Sequence, residues 1–215
     1  KECEVANREF KTVTGTYKGK RMTVLSTGIG IGNIDISVTE LDALANVDFE
    51  TRQVKPELRR LTLLRLGTSG AIQPDIKVGA AVFSRMSIGF DGLLNYYKGR
   101  NEVCNLEYEQ EFMRHTGWSD LLPKPYFAVA DEGLFDLFRD STREGITIAA
   151  PGFYAPQGRW VRLEPADAHL NEKIESFEYE GRRITNFEME SSALAGMASR
   201  MGHRAATICT IIAQR

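Results

Sequence analysis

The sequence predicts an α/β fold in which a central mixed β-sheet is flanked by helices. Apolar runs typical of strands alternate with amphipathic segments in the order β-β-α-β-β-α-β-α-β. Glycine-rich turns follow two of the apolar runs, at 27–33 and 67–72. The chain has 215 residues, of which 42% are hydrophobic, so it is long enough to bury one substantial core. We therefore expect a single domain over residues 1–215.

Charge and cysteine content narrow the classes of function. The formal net charge is −2, with acidic and basic residues mixed along the chain, which does not favour nucleic-acid binding. Cys3, Cys104 and Cys209 are far apart and form no CxxC pair, so neither a disulfide framework nor a zinc site is predicted. No signal-peptide pattern and no apolar run of membrane-spanning length is present. We expect a cytoplasmic protein that binds neither nucleic acid nor membrane.

The first glycine-rich turn lies between a predicted strand and a predicted helix. A hairpin is predicted at 11–20, a buried strand at 22–26 and an amphipathic helix at 34–44, with the turn 27–33 between the last two. Backbone N–H groups in such a turn can bind a phosphate or a sugar. The spacing is not GxGxxG and no GK[ST] follows, so neither a dinucleotide fold nor a P-loop is predicted. The alternative is a tight turn that needs glycine only for packing.

Arg65 is unusual because it interrupts the apolar strand predicted at 59–66. A guanidinium there is costly unless it meets an anion. The turn predicted at 67–72 contains hydroxyl side chains and glycines, so together with Arg65 it can form a cradle for an oxyanion. The alternative is an internal salt bridge to a carboxylate such as Glu190, and both interpretations are compatible.

The middle of the chain predicts fewer functional features. A strand is predicted at 78–87, an irregular insertion with a short helix at 93–120, a helix at 131–142, a strand at 146–149 and a helix at 166–177. The three histidines lie near no nucleophile motif and form no metal-binding pair, so we expect them at the surface; they are His115, His169 and His203.

The loop 151–160 is rich in aromatic residues and carries one amide and one guanidinium. Phe153 and Trp160 can stack on a flat ring, while Gln157 and Arg159 can form hydrogen bonds with its edge. The alternative is a surface loop that its aromatic residues anchor.

Two carboxylates, Glu188 and Glu190, lie between a predicted strand at 184–188 and a predicted helix at 193–198. A last strand is predicted at 205–212. Ligands of open α/β sheets bind at the carboxyl ends of strands, and a carboxylate there can accept hydrogen bonds from two neighbouring hydroxyls, as on a ribose. The alternative is that both residues only interact favourably with the helix dipole.

Four motifs together resemble uridine phosphorylases of the nucleoside phosphorylase superfamily. They are Ser26-Thr27-Gly28-Ile29-Gly30, the stretch from Arg65 to Pro74, Phe153-Tyr154-x-x-Gln157-x-Arg159, and Asn186-Phe187-Glu188-Met189-Glu190-Ser191. They occur in the family's order over nearly the whole chain, apart from residues 93–145. The resemblance implies a nucleoside phosphorylase-like fold and cleavage of uridine by inorganic phosphate into uracil and ribose 1-phosphate. It implies no metal and no organic cofactor, with phosphate as the co-substrate.

The resemblance also implies roles for individual residues. Arg65 and Thr68 resemble phosphate ligands, with Thr68 also near the ribose, and Arg8 resembles an arginine that a neighbouring subunit lends to the phosphate site. Met189 and Glu190 resemble the ribose-binding pair. The residues that resemble the base pocket are Phe153, Gln157, Arg159, Ile212 and Arg215. The catalytic set implied in this way is Arg65, Glu190 and Arg159.

The chain departs from the family's pattern at both ends, and its last residues bear on the substrate. Purine-cleaving members carry an Asp after the last strand, whereas residues 211–215 contain no acid, which favours a pyrimidine substrate. A phosphorylase that also accepts deoxyuridine, thymidine or purine nucleosides, and a non-catalytic nucleoside-binding protein, remain alternatives. The N-terminal phosphate loop and the C-terminal helix of the family have no counterpart in residues 1–215. We therefore expect the domain over these residues to lack both segments. The lent arginine implies a homo-oligomer, with a dimer as the minimal unit and a hexamer as the larger family assembly.

Overall fold

The computed structural model describes residues 1–214, which form one large mixed sheet, two small antiparallel sheets and surrounding helices. The strands are β1 (Cys3–Asn7), β2 (Phe10–Tyr17), β3 (Lys20–Ser26), β4 (Val47–Asp48), β5 (Gln53–Val54), β6 (Thr62–Ala71), β7 (Ala81–Gly89), β8 (Tyr126–Val129), β9 (Arg143–Ala149), β10 (Glu178–Tyr179), β11 (Arg182–Glu188) and β12 (Arg204–Gln214). The helices are α1 (Ile31–Asn46), α2 (Leu106–Thr116), α3 (Glu132–Phe138), α4 (Leu170–Glu175) and α5 (Ser191–Arg200).

The large sheet has the order β10-β11-β6-β12-β7-β8, and β9 pairs with both β11 and β7. This pairing closes β11, β6, β12, β7 and β9 into a ring. β12 runs parallel to β6, whereas it runs antiparallel to β7. The predicted mixed sheet flanked by helices is therefore confirmed. No helix among residues 1–214 is both long and apolar enough to cross a membrane.

Helix α5 packs into the core because its residues are small. All residues from 191 to 198 are buried. A Cβ atom on Gly196 would lie 2.6 Å from the Leu94 side chain, so only glycine permits this approach. Gly202, which the sequence predicts as the helix stop, has a φ angle of +78°. The start of α5 is consequently held in a fixed place beside the ends of the neighbouring strands.

The strand predicted at 22–26 is present as β3, but it is exposed rather than buried. Residues 22–26 were expected to be buried, but β3 belongs to the small sheet β1-β2-β3 and is mostly exposed. Met22 is 51% exposed and Val24 is 65% exposed. Apolar composition predicted the strand correctly, but burial depends on which elements pack against it, and β3 pairs only with β2 among the described residues.

The turn expected at 67–72 is instead mostly strand. β6 continues through Gly67 and Gly70 to Ala71 because β12 pairs with it along its full length. A ladder of backbone hydrogen bonds thus overrides the low strand propensity of glycine. The helix expected at 131–142 covers only Glu132–Phe138, with Asp131 capping it, and the helix expected at 166–177 covers only Leu170–Glu175.

His203 is not at the surface as the sequence analysis predicts. Its side chain is 1% exposed, accepts a hydrogen bond from the backbone N–H of Leu61 and lies 3.0 Å from a carboxylate oxygen of Asp42. The reason is topological, because the strand β12 that follows it lies deep in the large sheet. His115 and His169 are exposed, as expected.

Candidate active site

Arg65 lies between two carboxylates at the start of α5. Its Nη1 is 2.9 Å from Oε2 of Glu188, and its Nη2 contacts Oε2 of Glu190. The side chains are 17% exposed for Arg65, 1% for Glu188 and 6% for Glu190. The internal salt bridge that the sequence left as an alternative is present. Arg65 and Glu190 are thus brought together in direct contact.

The backbone of β6 makes room for the Arg65 side chain. A Cβ atom on Gly67 would lie 2.7 Å from Nη1 of Arg65, so the guanidinium rests directly over this glycine. Nη1 also lies 3.5 Å from Sγ of Cys209 on the paired strand β12. The guanidinium therefore has protein on several sides and little freedom to reorient.

The opposite charges in this cluster favour the charged forms of Arg65 and Glu188. Burial by itself lowers the pKa of Arg65, but Glu188 and Glu190 outweigh it, and the pKa is raised above its ordinary value. Burial raises the pKa of Glu188, and the charge of Arg65 opposes that rise. Burial also raises the pKa of Cys209 to about 12, so its thiol is neutral at physiological pH. Arg65 is consequently a permanent cation between acidic side chains.

The first glycine-rich turn reaches the same cluster. The backbone N–H of Gly30 donates a hydrogen bond of 2.6 Å to Oε1 of Glu190. Gly30 has a φ angle of +98° and precedes α1, so glycine is needed for the turn that aims this N–H. Met189, which lies between Glu188 and Glu190 in the sequence, is half-buried. Two stretches that are 160 residues apart in sequence therefore meet at Glu190.

Phe153, Gln157 and Arg159 form a second cluster in the loop after β9. Nη1 of Arg159 donates to Oε1 of Gln157 at 2.6 Å, and the guanidinium carbon lies 4.4 Å from the centre of the Phe153 ring. Gln157 is 6% exposed, and its backbone carbonyl accepts a hydrogen bond of 2.9 Å from Asn171. Arg159 therefore contacts both of the other residues that the motif predicts as a set.

Strand β6 contacts both clusters, on opposite faces. A Cβ atom on Gly70 would lie 3.4 Å from Nη2 of Arg159, so the aromatic loop lies over the end of β6, on the face that Gly70 shares with Thr68 by side-chain alternation. Ile212 is 60% exposed and lies at a bulge of β12 opposite Ser69 and Gly70. Arg159 and Ile212 thus both lie near the end of β6, at Gly70, five residues beyond Arg65.

Thr68 and Arg8 complete the predicted residues that the structure describes. Thr68 is exposed, and side-chain alternation along β6 puts it on the opposite face of the strand from Arg65, the face on which Arg159 lies at Gly70. Arg8 is exposed in the turn between β1 and β2, with a φ angle of +52°. Arg215 lies outside the described residues.

A buried polar network that sequence reasoning missed supports the start of α5. The hydroxyl of Tyr126 donates to Oδ1 of Asp91 at 3.0 Å and lies 3.0 Å from Oγ of Ser192. Burial raises the pKa of Asp91, and hydrogen bonds from Leu93, Tyr126 and Ser192 oppose that rise. The only sequence signal for this network is an Asp directly after an apolar strand. It anchors the helix whose first turn follows Glu190.

The residues of the two clusters line neither of two cavities in the described chain. A groove of about 740 Å³ lies near Arg60, Cys104 and His203, and a pocket of about 310 Å³ lies near Arg143 and Arg182. Within residues 1–214, no group of three or more His, Cys, Asp or Glu side chains is arranged to hold a metal ion.

The chain is similar to known nucleoside-processing enzymes. One family model, described as the phosphorylase superfamily, matches residues 1–215. A uridine phosphorylase from Thermococcus kodakarensis is 30% identical over 215 residues, covering 97% of this chain and 64% of its own length. A uridine phosphorylase from Haemophilus influenzae is 27% identical over 214 residues, covering all of this chain and 72% of its own.

Purine-directed proteins are also similar. A DeoD-type purine nucleoside phosphorylase from Listeria welshimeri is 29% identical over 198 residues, covering 92% of this chain and 66% of its own. The crystal structure of a Trypanosoma brucei nucleoside phosphorylase, described as showing uridine phosphorylase activity, matches with a TM-score of 0.85 at 26% identity. That match covers 100% of this chain and 77% of the other. This chain therefore spans about two thirds to three quarters of the length of these proteins, and the predicted nucleoside phosphorylase-like fold is confirmed.

Proposed function

The chain belongs to the phosphorylase superfamily, and we propose that it catalyses the phosphorolysis of uridine to uracil and ribose 1-phosphate. The observation that carries this proposal is the meeting of Arg65 with Glu190 and the Gly30 turn, together with the Phe153–Gln157–Arg159 cluster at the end of the same strand, β6. A cation, a carboxylate and a planar polar cluster are the three elements needed for phosphate, sugar and base. Inorganic phosphate is the co-substrate, and the proposed reaction uses no metal or organic cofactor.

Arg65 is suited to bind the attacking phosphate. Its guanidinium stays charged, and Nη2 points to a carboxylate oxygen that an incoming phosphate oxygen can replace. The phosphate then attacks the anomeric carbon of the ribose as the bond to the base nitrogen breaks. The bonding electrons leave with the base, and positive charge develops on the sugar, where the phosphate dianion stabilises it.

Glu190 is suited to hold the sugar. Once phosphate occupies Nη2 of Arg65, Oε2 of Glu190 is available to accept hydrogen bonds from the ribose hydroxyls. The N–H of Gly30 keeps the carboxylate oriented through its other oxygen. Holding the sugar beside the phosphate makes the attack effectively intramolecular, which removes much of the entropic barrier.

The aromatic loop is suited to hold the base. Phe153 offers a ring face, and Gln157 and Arg159 carry donors and an acceptor that match the edge of a pyrimidine. Donors aimed at the departing base stabilise the negative charge that develops on it. This cluster, and the lack of an acid at residues 211–214, favour uracil over a purine. Because DeoD-type purine phosphorylases are also similar to the chain, a broader specificity that includes deoxyuridine, thymidine or purine nucleosides is the second candidate.

The test follows base release from uridine, thymidine, deoxyuridine and inosine, each with and without inorganic phosphate, by ultraviolet absorbance. We expect uridine to be cleaved fastest and only with phosphate. Release without phosphate would indicate a hydrolase, faster inosine cleavage would indicate a purine phosphorylase, and tight binding without release would indicate a nucleoside-binding protein.

A matched pair of variants tests the base site. Arg159→Ala should lower kcat/KM for uridine by about 100-fold, since removing one donor to a developing anion costs on this order. Arg162→Ala, an exposed arginine in the same loop, is the control and should leave kcat/KM unchanged. Equal effects of the two variants would remove Arg159 from the base site.

We further infer a cytoplasmic homo-oligomer with a dimer as the minimal unit. Arg8 is exposed at a turn, where it is available to a neighbouring subunit. Sedimentation equilibrium of the wild type and of Arg8→Ala, together with the phosphate KM of each, tests this inference. A monomeric wild-type protein with full activity would contradict it.

A further inference from the structure

The two carboxylates at the start of α5 differ in how freely they can change partners. We propose that Glu188 is a positioning residue that fixes Arg65 for phosphate, while Glu190 exchanges its partner between Arg65 and the sugar. This inference rests on the proposed function of the site, because it concerns how Arg65 is presented to phosphate.

Glu188 has no capacity left for a substrate. Its Oε2 accepts hydrogen bonds from the backbone N–H of Glu190 at 2.9 Å and of Ser191 at 3.0 Å, and forms an ion pair with Nη1 of Arg65 at 2.9 Å. Its Oε1 accepts from the hydroxyl of Ser191 at 2.6 Å. With a side-chain exposure of 1%, it has no open side at which another group can enter. Glu188 is therefore a fixed anion.

Glu190 has fewer partners, and one of them is itself a candidate substrate ligand. Its Oε1 accepts from Gly30, and its Oε2 contacts Nη2 of Arg65. The side chain forms no capping hydrogen bond with the helix that follows it. When the contact between Nη2 of Arg65 and Oε2 of Glu190 opens, a phosphate oxygen can bind Nη2 and a sugar hydroxyl can bind Oε2. Both side chains then keep a polar partner.

The exchange requires that the other edge of the guanidinium stays in place. Nη1 is held by Glu188 and lies beside Sγ of Cys209, and the plane rests over Gly67. If Glu188 loses its charge, Glu190 becomes the only anionic partner of Arg65 among residues 1–214. Arg65 then turns toward Glu190, so phosphate has to compete for a reoriented guanidinium. The binding of both substrates should weaken, and phosphate binding should weaken more.

The sign of the expected effect separates positioning from simple charge. Removing a negative charge beside Arg65 should by itself strengthen phosphate binding, because less repulsion remains. Positioning predicts the opposite result. A weaker phosphate interaction after the loss of the Glu188 charge is therefore a specific signature of the proposed role.

The experiment compares Glu188→Gln with Ser191→Ala. Glutamine keeps an oxygen acceptor of the same length, whereas Ser191→Ala removes a hydrogen bond to Glu188 without touching Arg65. The phosphate KM at saturating uridine, the uridine KM at saturating phosphate and the Tm are measured for each. The Kd for inorganic phosphate is measured by calorimetry without nucleoside.

We expect Glu188→Gln to raise the phosphate KM and Kd about tenfold, as the loss of one charge-assisted hydrogen bond would, while the uridine KM changes less than about twofold. Ser191→Ala should lower the Tm but leave both KM values unchanged. If Glu188→Gln does not fold, Glu188→Asp should shift the phosphate constants in the same direction, because its carboxylate is one methylene farther from Arg65.

Three outcomes would overturn the inference: an unchanged or lower phosphate KM, a change confined to the uridine KM, or identical kinetics of the two variants. The last outcome would show that Glu188 only caps α5. A wild-type protein that releases base without phosphate, or binds no phosphate, would instead refute the proposed function. The two failures are therefore distinguishable.

Discussion

Replacement of Arg65 by methionine should destabilise the protein far more than replacement of a surface arginine. Methionine fills part of the same space but leaves two carboxylates, 1% and 6% exposed, without their shared cation. Removing one partner of a buried ion pair costs about 3–5 kcal/mol. Arg21 and Glu2 form an ion pair whose side chains are 70% and 44% exposed, and such surface pairs contribute little to stability. Arg21→Met is therefore the matched control.

The loss of stability caused by Arg65→Met should also depend on pH. Burial already raises the pKa of Glu188 in the folded protein above its ordinary value of 4.5, and Arg65→Met removes the cation that opposes this rise. A carboxyl with a raised folded pKa binds its proton more tightly when folded. Its favourable contribution is therefore complete below the unfolded pKa and is lost as the pH rises through the folded pKa. The variant should consequently lie closer to the wild type at about pH 5 than at about pH 8.

Urea unfolding followed by tryptophan fluorescence at both pH values measures these differences in the free energy of unfolding. A loss below about 1 kcal/mol would refute the argument that the carboxylates depend on Arg65. A loss that is equal at both pH values would show that packing, and not charge, explains the effect.

Two further substitutions test the support around the site. Gly67→Ala places a Cβ atom 2.7 Å from Nη1 of Arg65, so the guanidinium must move, and we expect the phosphate KM to rise about tenfold in steady-state kinetics; an unchanged KM would contradict the packing argument. Tyr126→Phe removes the hydroxyl that donates to Asp91, which should lower the free energy of unfolding by about 1–3 kcal/mol in urea titrations. Tyr96→Phe, at an 89% exposed position, should change it by less than about 0.5 kcal/mol, and equal losses would exclude a role for the buried network.

The strands show where local pattern is sufficient and where it is not. Apolar runs predicted β3 and the first part of β6 because strand propensity is a property of neighbouring residues. The continuation of β6 past Gly67 and the exposure of Val24 depend on pairing with, or the absence of, a distant strand. His203 is buried for the same kind of reason, since it precedes the strand β12 that lies within the large sheet.

The sequence alone determined which chemical groups are present and how they are spaced along the chain. An arginine in an apolar strand, a pair of glutamates before a helix of small residues, and an amide and a guanidinium in an aromatic loop are all visible without coordinates. Those features were enough to predict a mixed α/β fold and a polar site at strand ends, because both follow from local composition and periodicity.

Only the tertiary structure decided which contacts each of these groups makes. It distinguished Glu188, held by hydrogen bonds from Glu190 and Ser191 and by an ion pair with Arg65, from Glu190, which keeps an exchangeable contact. It also placed Thr68 on the opposite face of β6 from Arg65 and brought Gly30 to Glu190 across 160 residues. Burial and hydrogen-bond partners arise from packing between distant segments, so the linear spacing of residues does not specify them.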